Sequence, residues 1–192
     1  MKHPNIVTLF DSGLTSDGSA YLAMEFVDGV PLNEYEEDSR TRASGTSDLR
    51  RRADLFIRIC DAVSYAHQKG IIHRDLKPAN IMVDPNRGAI LIDFGLAKGV
   101  ASGSDVSLSP GLSEGWSPPE RRDGVSGSFT DVFSLGQVLW HILTGERPFH
   151  ALSKEEITSW LVEKGHDEWG AGVIFACGER HERRIQSVFV LR

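Results

Sequence analysis

The chain has 192 residues, 40% of them hydrophobic and 25% charged, ordinary values for a globular protein of one domain or a little more. Its net charge of −6 argues against a nucleic-acid or membrane-surface partner. Cys60 and Cys177 stand far apart in no metal-type spacing, and two plain thiols fit a reducing, cytoplasmic setting.

The opening "MKHPNIVTLF" has too short an apolar run for a signal peptide. "NIVTLFDSG" (5–13) and "AYLAMEFV" (20–27) read as two strands joined as a hairpin through "TSDGS". "DGVPL" (28–32) breaks the second strand, and residues 34–48 carry no periodic apolar face, so a short helical start at most is expected there. From Leu49 to Gln68 the period changes: Phe56, Ile59, Cys60, Ala62, Val63 and Ala66 form one stripe of an amphipathic helix. Ser47 or Asp48 is its expected cap, Gly70 its end, and Arg50-Arg51-Arg52 its solvated face. Two short strands follow, "IMVD" (81–84) and "AILID" (89–93), around the turn "PNRG". Residues 99–128 are rich in Ser and Gly and read as a long loop. "TDVFSLGQVLWHILTG" (130–145) is apolar nearly all round, the pattern of a buried helix capped by Thr130 or Asp131 and closed by Gly145. Its apolar run is about half the ~20 residues that a membrane helix needs.

The chemistry concentrates in "IIHRDLKPANIMVD" (71–84), which sets Asp75, Lys77 and Asn80 at spacings of two and three. Pro78 removes a donor and pushes Lys77 towards extended geometry, so the segment reads as strand, loop, strand. Asp93, at the end of the next strand pair, presents a second carboxylate. Asp75, Asn80 and Asp93 are expected to converge on one hard-oxygen site suited to Mg²⁺. A proton-accepting acid, a cation beside it and metal-binding oxygens together describe phosphoryl transfer.

"HRDLKPAN" (73–80) and "DFG" (93–95) resemble the catalytic loop and metal-binding loop of eukaryotic-type serine/threonine protein kinases, and the hinge-like segment 21–32 and helix segment 131–149 most resemble bacterial members. The match is to a known signature and not a deduction from spacing. Seven fixed residues at one place arise by chance on the order of once in 10⁹. "HPNIV" (3–7), "YLAMEFVDGVPL" (21–32), "SPPE" (117–120) and "DVFSLGQVLWHILTGERPF" (131–149) resemble further family segments in the family's order.

The resemblance implies an α+β, protein-kinase-like fold: a mostly helical C-lobe with a partial N-lobe antiparallel sheet. Residues 1–28 would be partial N-lobe and hinge, 29–150 the C-lobe, and 151–192 a divergent tail. The implied activity is transfer of the ATP γ-phosphate to a protein hydroxyl, with ATP and Mg²⁺ as cofactors and a protein as substrate. Asp75 would orient and deprotonate the hydroxyl, Lys77 would contact the transferring group, and Asn80 and Asp93 would hold metal. Met24 would guard the adenine pocket, the backbones of Glu25 and Val27 would bond adenine, and Met82 would form part of the floor. His73 would pack with Phe94 and Leu9, Arg74 would meet a phosphorylated loop residue, and Asp131 would anchor the catalytic loop from below. Ser113 stands where the family usually has a threonine, a departure that bears on substrate docking. Ser102, Ser104, Ser107 and Ser109 are further phosphorylation candidates in that loop, and Trp116 is expected to pack. No G-x-G-x-x-G occurs in the chain, nor does the phosphate-gripping lysine of the family. A fragment is therefore expected, with little activity of its own. The alternative is a kinase-like binding module or an inactive truncated product.

Overall fold

A computed structural model describes residues 1–35, 46–93 and 125–146, together with Trp116, Pro118, residues 158–159 and residues 162–163. Strands β1 (Leu9–Leu14) and β2 (Ala20–Met24) form an antiparallel pair. Strand β3 (Val30–Pro31) pairs with β4 (Ile81–Asp84), which pairs with β5 (Gly88–Leu91), all antiparallel. Helix α1 spans Thr46–Gln68 and helix α2 spans Ser128–Thr144. Among the described residues no helix is long and apolar enough to cross a membrane.

The expected strand over 5–13 is two pieces. Ile6 bridges Leu91 in parallel, with Val7 N–H donating to Leu91 O at 2.9 Å and Leu91 N–H to Asn5 O at 2.9 Å. Residues 5–7 thus lie along β5, and only Leu9–Leu14 builds the hairpin. The register passes from Leu9↔Met24 to Asp11↔Ala23, so Phe10 is the extra residue of a bulge and is 69% exposed. "DGVPL", read as a break, also supplies β3. Pro31 has no N–H to give, which suits so short an edge strand. A Cβ on Gly29 would meet Val83 O at 2.5 Å. Only glycine lets the chain pass this close to β4.

Helix α1 begins at Thr46, so Asp48 lies inside its first turn and is not a cap. Phe56, Ile59, Cys60 and Val63 on α1 are buried against Leu135, Leu139 and Trp140 on α2 and Val83 and Leu91 of the hairpin, in one cluster. A fully buried side chain of this size contributes about 1.5–3 kcal/mol. Every residue of α2 from Thr130 to Thr144 is buried, which explains a sequence without a polar face. Gly145 ends α2 in the left-handed region at φ 63°, its N–H donating to His141 O at 2.6 Å. The N-cap is Gly127, with no side-chain cap. Thr130 instead donates its hydroxyl to Gly127 O, and Asp131 turns inward.

The arginine trio is not one solvated face. Arg50 is exposed, but Arg52 is only 8% exposed. Its Nε donates to Asp48 Oδ2 at 2.7 Å, and Nη1 donates to the carbonyls of Ile142 and Leu143. A guanidinium thus sits on the last carbonyls of α2, where the helix leaves acceptors without partners and the dipole favours a cation. Arg52→Ala should cost about 2–4 kcal/mol in urea unfolding, because it leaves Asp48 and two buried carbonyls short of donors. Arg50→Ala should stay within about 0.5 kcal/mol; equal losses would contradict this assignment.

Candidate active site

The catalytic-loop segment is built on one buried carboxylate. Asp131, 1% exposed, accepts the His73 N–H at 2.8 Å on Oδ2 and the Arg74 N–H at 2.9 Å on Oδ1. His67 Nε2 lies 2.8 Å from Oδ2. Facing an acceptor-only carboxylate, that nitrogen is the donor. These contacts hold Arg74 at φ 68°, in the left-handed region that a non-glycine residue seldom occupies. Such strain costs of order 1–3 kcal/mol. Two charge-assisted hydrogen bonds at about 1.5–3 kcal/mol each outweigh it.

His73 ties the loop to the end of β5. It is fully buried, its Nε2 lies 3.1 Å from Ile92 O, and its Nδ1 accepts the Asp75 N–H at 3.3 Å. Burial pushes its pKa below the ordinary 6.5, against the pull of Asp131. A neutral ring that donates through Nε2 and accepts through Nδ1 satisfies both contacts.

The turn Pro78–Asn80 is a single 3₁₀ turn, begun by the extended Lys77 (φ −159°) as the proline requires. Lys77 Nζ lies 3.0 Å from Asp75 Oδ2. Asn80 Nδ2 donates to Asp75 O at 2.8 Å and to Asp75 Oδ2 at 3.2 Å. Asp75, Lys77 and Asn80 are therefore brought together. With Nδ2 engaged by Asp75, Oδ1 is the end of the amide that Asn80 can offer a cation. Ile92 N–H donates to Asn80 O at 3.0 Å, which sets Asp93 one residue from Asn80's backbone partner. Asp93, at φ 57°, is a second non-glycine residue in the left-handed region. Among the described residues no group of three or more His, Cys, Asp and Glu is placed to hold a metal. Asn80 offers an amide oxygen and Asp93 a carboxylate, donor types that fit Mg²⁺ when phosphates and water complete the shell.

Val27 and Met82 lie on the face of the hairpin away from the main core. Met82 packs with Val7, Val27, Ile90 and Ile92 in a second small cluster. Met24, at the end of β2, is 36% exposed. Glu25 donates its N–H to Thr8 O at 2.8 Å, so what its backbone can offer a ligand is the carbonyl. Cys60 is a buried thiol, and Trp116 packs on the core and edges against His141. Phe94, Cys177, Glu120 and the serines at 102, 104, 107, 109 and 113 lie outside the described residues.

The family model described as the protein kinase domain matches residues 1–169. The chain belongs to the protein kinase family. The serine/threonine-protein kinase PknB of Mycolicibacterium smegmatis is 39% identical over 156 residues, 78% of this chain and 24% of that protein. PrkC of Bacillus subtilis is 34% identical over 159 residues, 82% of this chain and 24% of that protein. The chain thus spans about a quarter of the length of these curated relatives. The crystal structure of the Mycobacterium tuberculosis PknI kinase domain superposes with a TM-score of 0.75, covering 100% of this chain and 71% of that one at 24% identity. The protein-kinase-like α+β fold expected from the sequence is thereby borne out.

Two features of this kinase chain escaped the sequence. The carboxylate of Glu25 ion-pairs with Arg87, and the ring of His67 reaches Asp131. Both join residues more than sixty positions apart, and no local pattern announces them.

The buried His73 carries a pH prediction. The unfolded chain takes up a proton near pH 6.5, while the folded ring resists it. Its contribution to stability is therefore full above pH 6.5 and is lost as the pH falls. The melting temperature should drop from about pH 7.5 to about pH 5.5, and His73→Gln should flatten that slope while lowering stability at the higher pH. An unchanged slope would contradict a neutral, buried ring.

Proposed function

We propose that the chain carries the catalytic loop of a serine/threonine protein kinase that transfers the ATP γ-phosphate to a protein hydroxyl. The observation that supports this best is the grouping of Asp75, Lys77 and Asn80 on a loop whose backbone is held by Asp131. In this reading Asp75 orients the incoming hydroxyl and accepts its proton. Lys77, 3.0 Å from Asp75 Oδ2, offers positive charge to the transferring group. Asn80 and Asp93 would hold Mg²⁺, which when bound neutralises phosphate charge. The carbonyl of Glu25 and the backbone of Val27 receive the adenine, Met82 lies under it, and Met24 stands at the back of the pocket. Val27 and Met82 share one apolar cluster, as a floor beside a hinge requires. Residues 1–28 then serve as hinge and partial N-lobe, 29–150 as the C-lobe and 151–192 as a tail. The buried thiol of Cys60 fits a cytoplasmic setting.

The test is ligand-linked stability. Mg²⁺ or Mn²⁺ should raise the melting temperature slightly, and Mg²⁺ with ADP by about 2–4 °C. Asp93→Ala should abolish the shift, and Asp105→Ala, in the Ser- and Gly-rich stretch 99–128 away from the motif, should retain it. A folded chain that shows no shift, or loses it equally in both variants, would overturn the proposal.

A further inference from the structure

We propose that Arg87 is a positioning residue for base recognition, holding the hinge backbone through the side chain of Glu25. This rests on the reading above that Glu25 and Val27 receive adenine, and it concerns a pair of side chains that the catalytic-loop signature does not include.

Glu25 is held through both carboxylate oxygens and its backbone N–H. One carboxylate oxygen pairs with Arg87 Nη1, and the other accepts the Thr8 N–H at 3.2 Å. Its own N–H donates to Thr8 O at 2.8 Å. The second arm of the Arg87 fork, Nη2, donates to Pro4 O at 3.0 Å. One guanidinium thus joins the hinge to the N-terminal segment that runs along β5. That segment is fastened separately: Asn5 Nδ2 donates to Ala89 O at 2.8 Å.

Arg87 is itself fixed. It lies in the β4–β5 turn, where Asp84 Oδ1 accepts the N–H groups of Asn86 at 2.8 Å and Arg87 at 2.9 Å. These backbone donors also hold the Asp84 carboxyl below its usual range. At the other end of the hinge, Gly29 lies directly against Val83 O. The segment 25–29 is therefore pinned to one hairpin at both ends. Between the pins, Val27 is buried while Phe26 is 87% exposed. Val27 packs into the small apolar cluster with Met82 and Ile90 and holds the middle of the segment, while the Arg87 pin sets its Glu25 end.

Arg87 and Glu25 are partly exposed, 36% and 27%. Such a pair adds little to global stability, so its loss should be felt locally. Lysine is a point charge without a fork and can replace the Glu25 contact but not the simultaneous reach to Pro4.

The experiment compares the chain with Arg87→Ala, Arg87→Lys and Arg58→Ala. Arg58 pairs with Asp54 on the surface of α1 and serves as a charge-loss control. The readouts are hydrogen–deuterium exchange over residues 22–30 and calorimetric binding of adenosine, a probe without phosphates. In Arg87→Ala, exchange over 22–30 should rise and adenosine affinity should fall about fivefold, with the melting temperature nearly unchanged. Arg87→Lys should be intermediate and Arg58→Ala silent. Unchanged exchange in Arg87→Ala, or an equal affinity loss in Arg58→Ala, overturns the assignment. Raised exchange in a chain that binds no adenosine at all overturns the adenine reading, and the positioning role with it.

Discussion

The carboxylate of Asp131 is the constraint on which the site depends. It lies in the first turn of a helix buried along nearly its whole length, and it points away from its own helix into the loop above. Three donors converge on it: the backbone N–H groups of His73 and Arg74, and the ring of His67. A buried carboxylate without them would cost several kcal/mol. With them it forces Arg74 into a strained conformation that turns the chain and presents Asp75. The apolar composition of α2 and the chemistry of the loop are thus two aspects of one design. A helix that cannot move carries a charge that fixes a backbone.

The rest of the structure places partners around that fixed point. Arg52 on α1 closes the far end of α2, and the same two helices bury the main core. The β4–β5 hairpin lies across α1 and carries Asn80 at its entrance and Asp93 at its exit. His73 joins the end of β5 to the loop through Ile92. The hairpin's turn reaches outwards through Arg87 to Glu25, in the proposed hinge. The candidate metal ligands thus flank the open end of the hairpin, while the Glu25 carboxylate is held at its turn. The β1–β2 pair is held less firmly: most of its residues are exposed, including Phe10 at its bulge.

Much of this was legible in the residues. The stripe Phe56, Ile59, Cys60, Val63 marked the buried face of α1, and the largely apolar run of 132–143 marked a central helix. Pro78 announced an extended Lys77 and a loop. Those signals are local, and local periodicity survives packing. The errors arose where a side chain had a distant partner. Arg52 looked solvated because its acceptors lie ninety residues away on another helix. Asp131 was one of two candidate caps by position, yet its carboxylate serves the loop, a role that only the family resemblance suggested. The segment 5–13 looked like one strand because alternation does not tell which edge a strand will join, and residues 5–7 joined β5. Glu25 was valued for its backbone, while its side chain carries the contact with Arg87.

The most direct measurement is residue-resolved hydrogen exchange on Asp131→Ala. The expected result is a rise of at least about tenfold in exchange at the His73 and Arg74 amides, together with loss of Mg²⁺–ADP stabilisation. The amides of α1 and of β4 and β5 should remain protected, which shows that the chain is still folded. Unchanged protection at His73 and Arg74 in that folded variant would contradict the claim that Asp131 holds the loop.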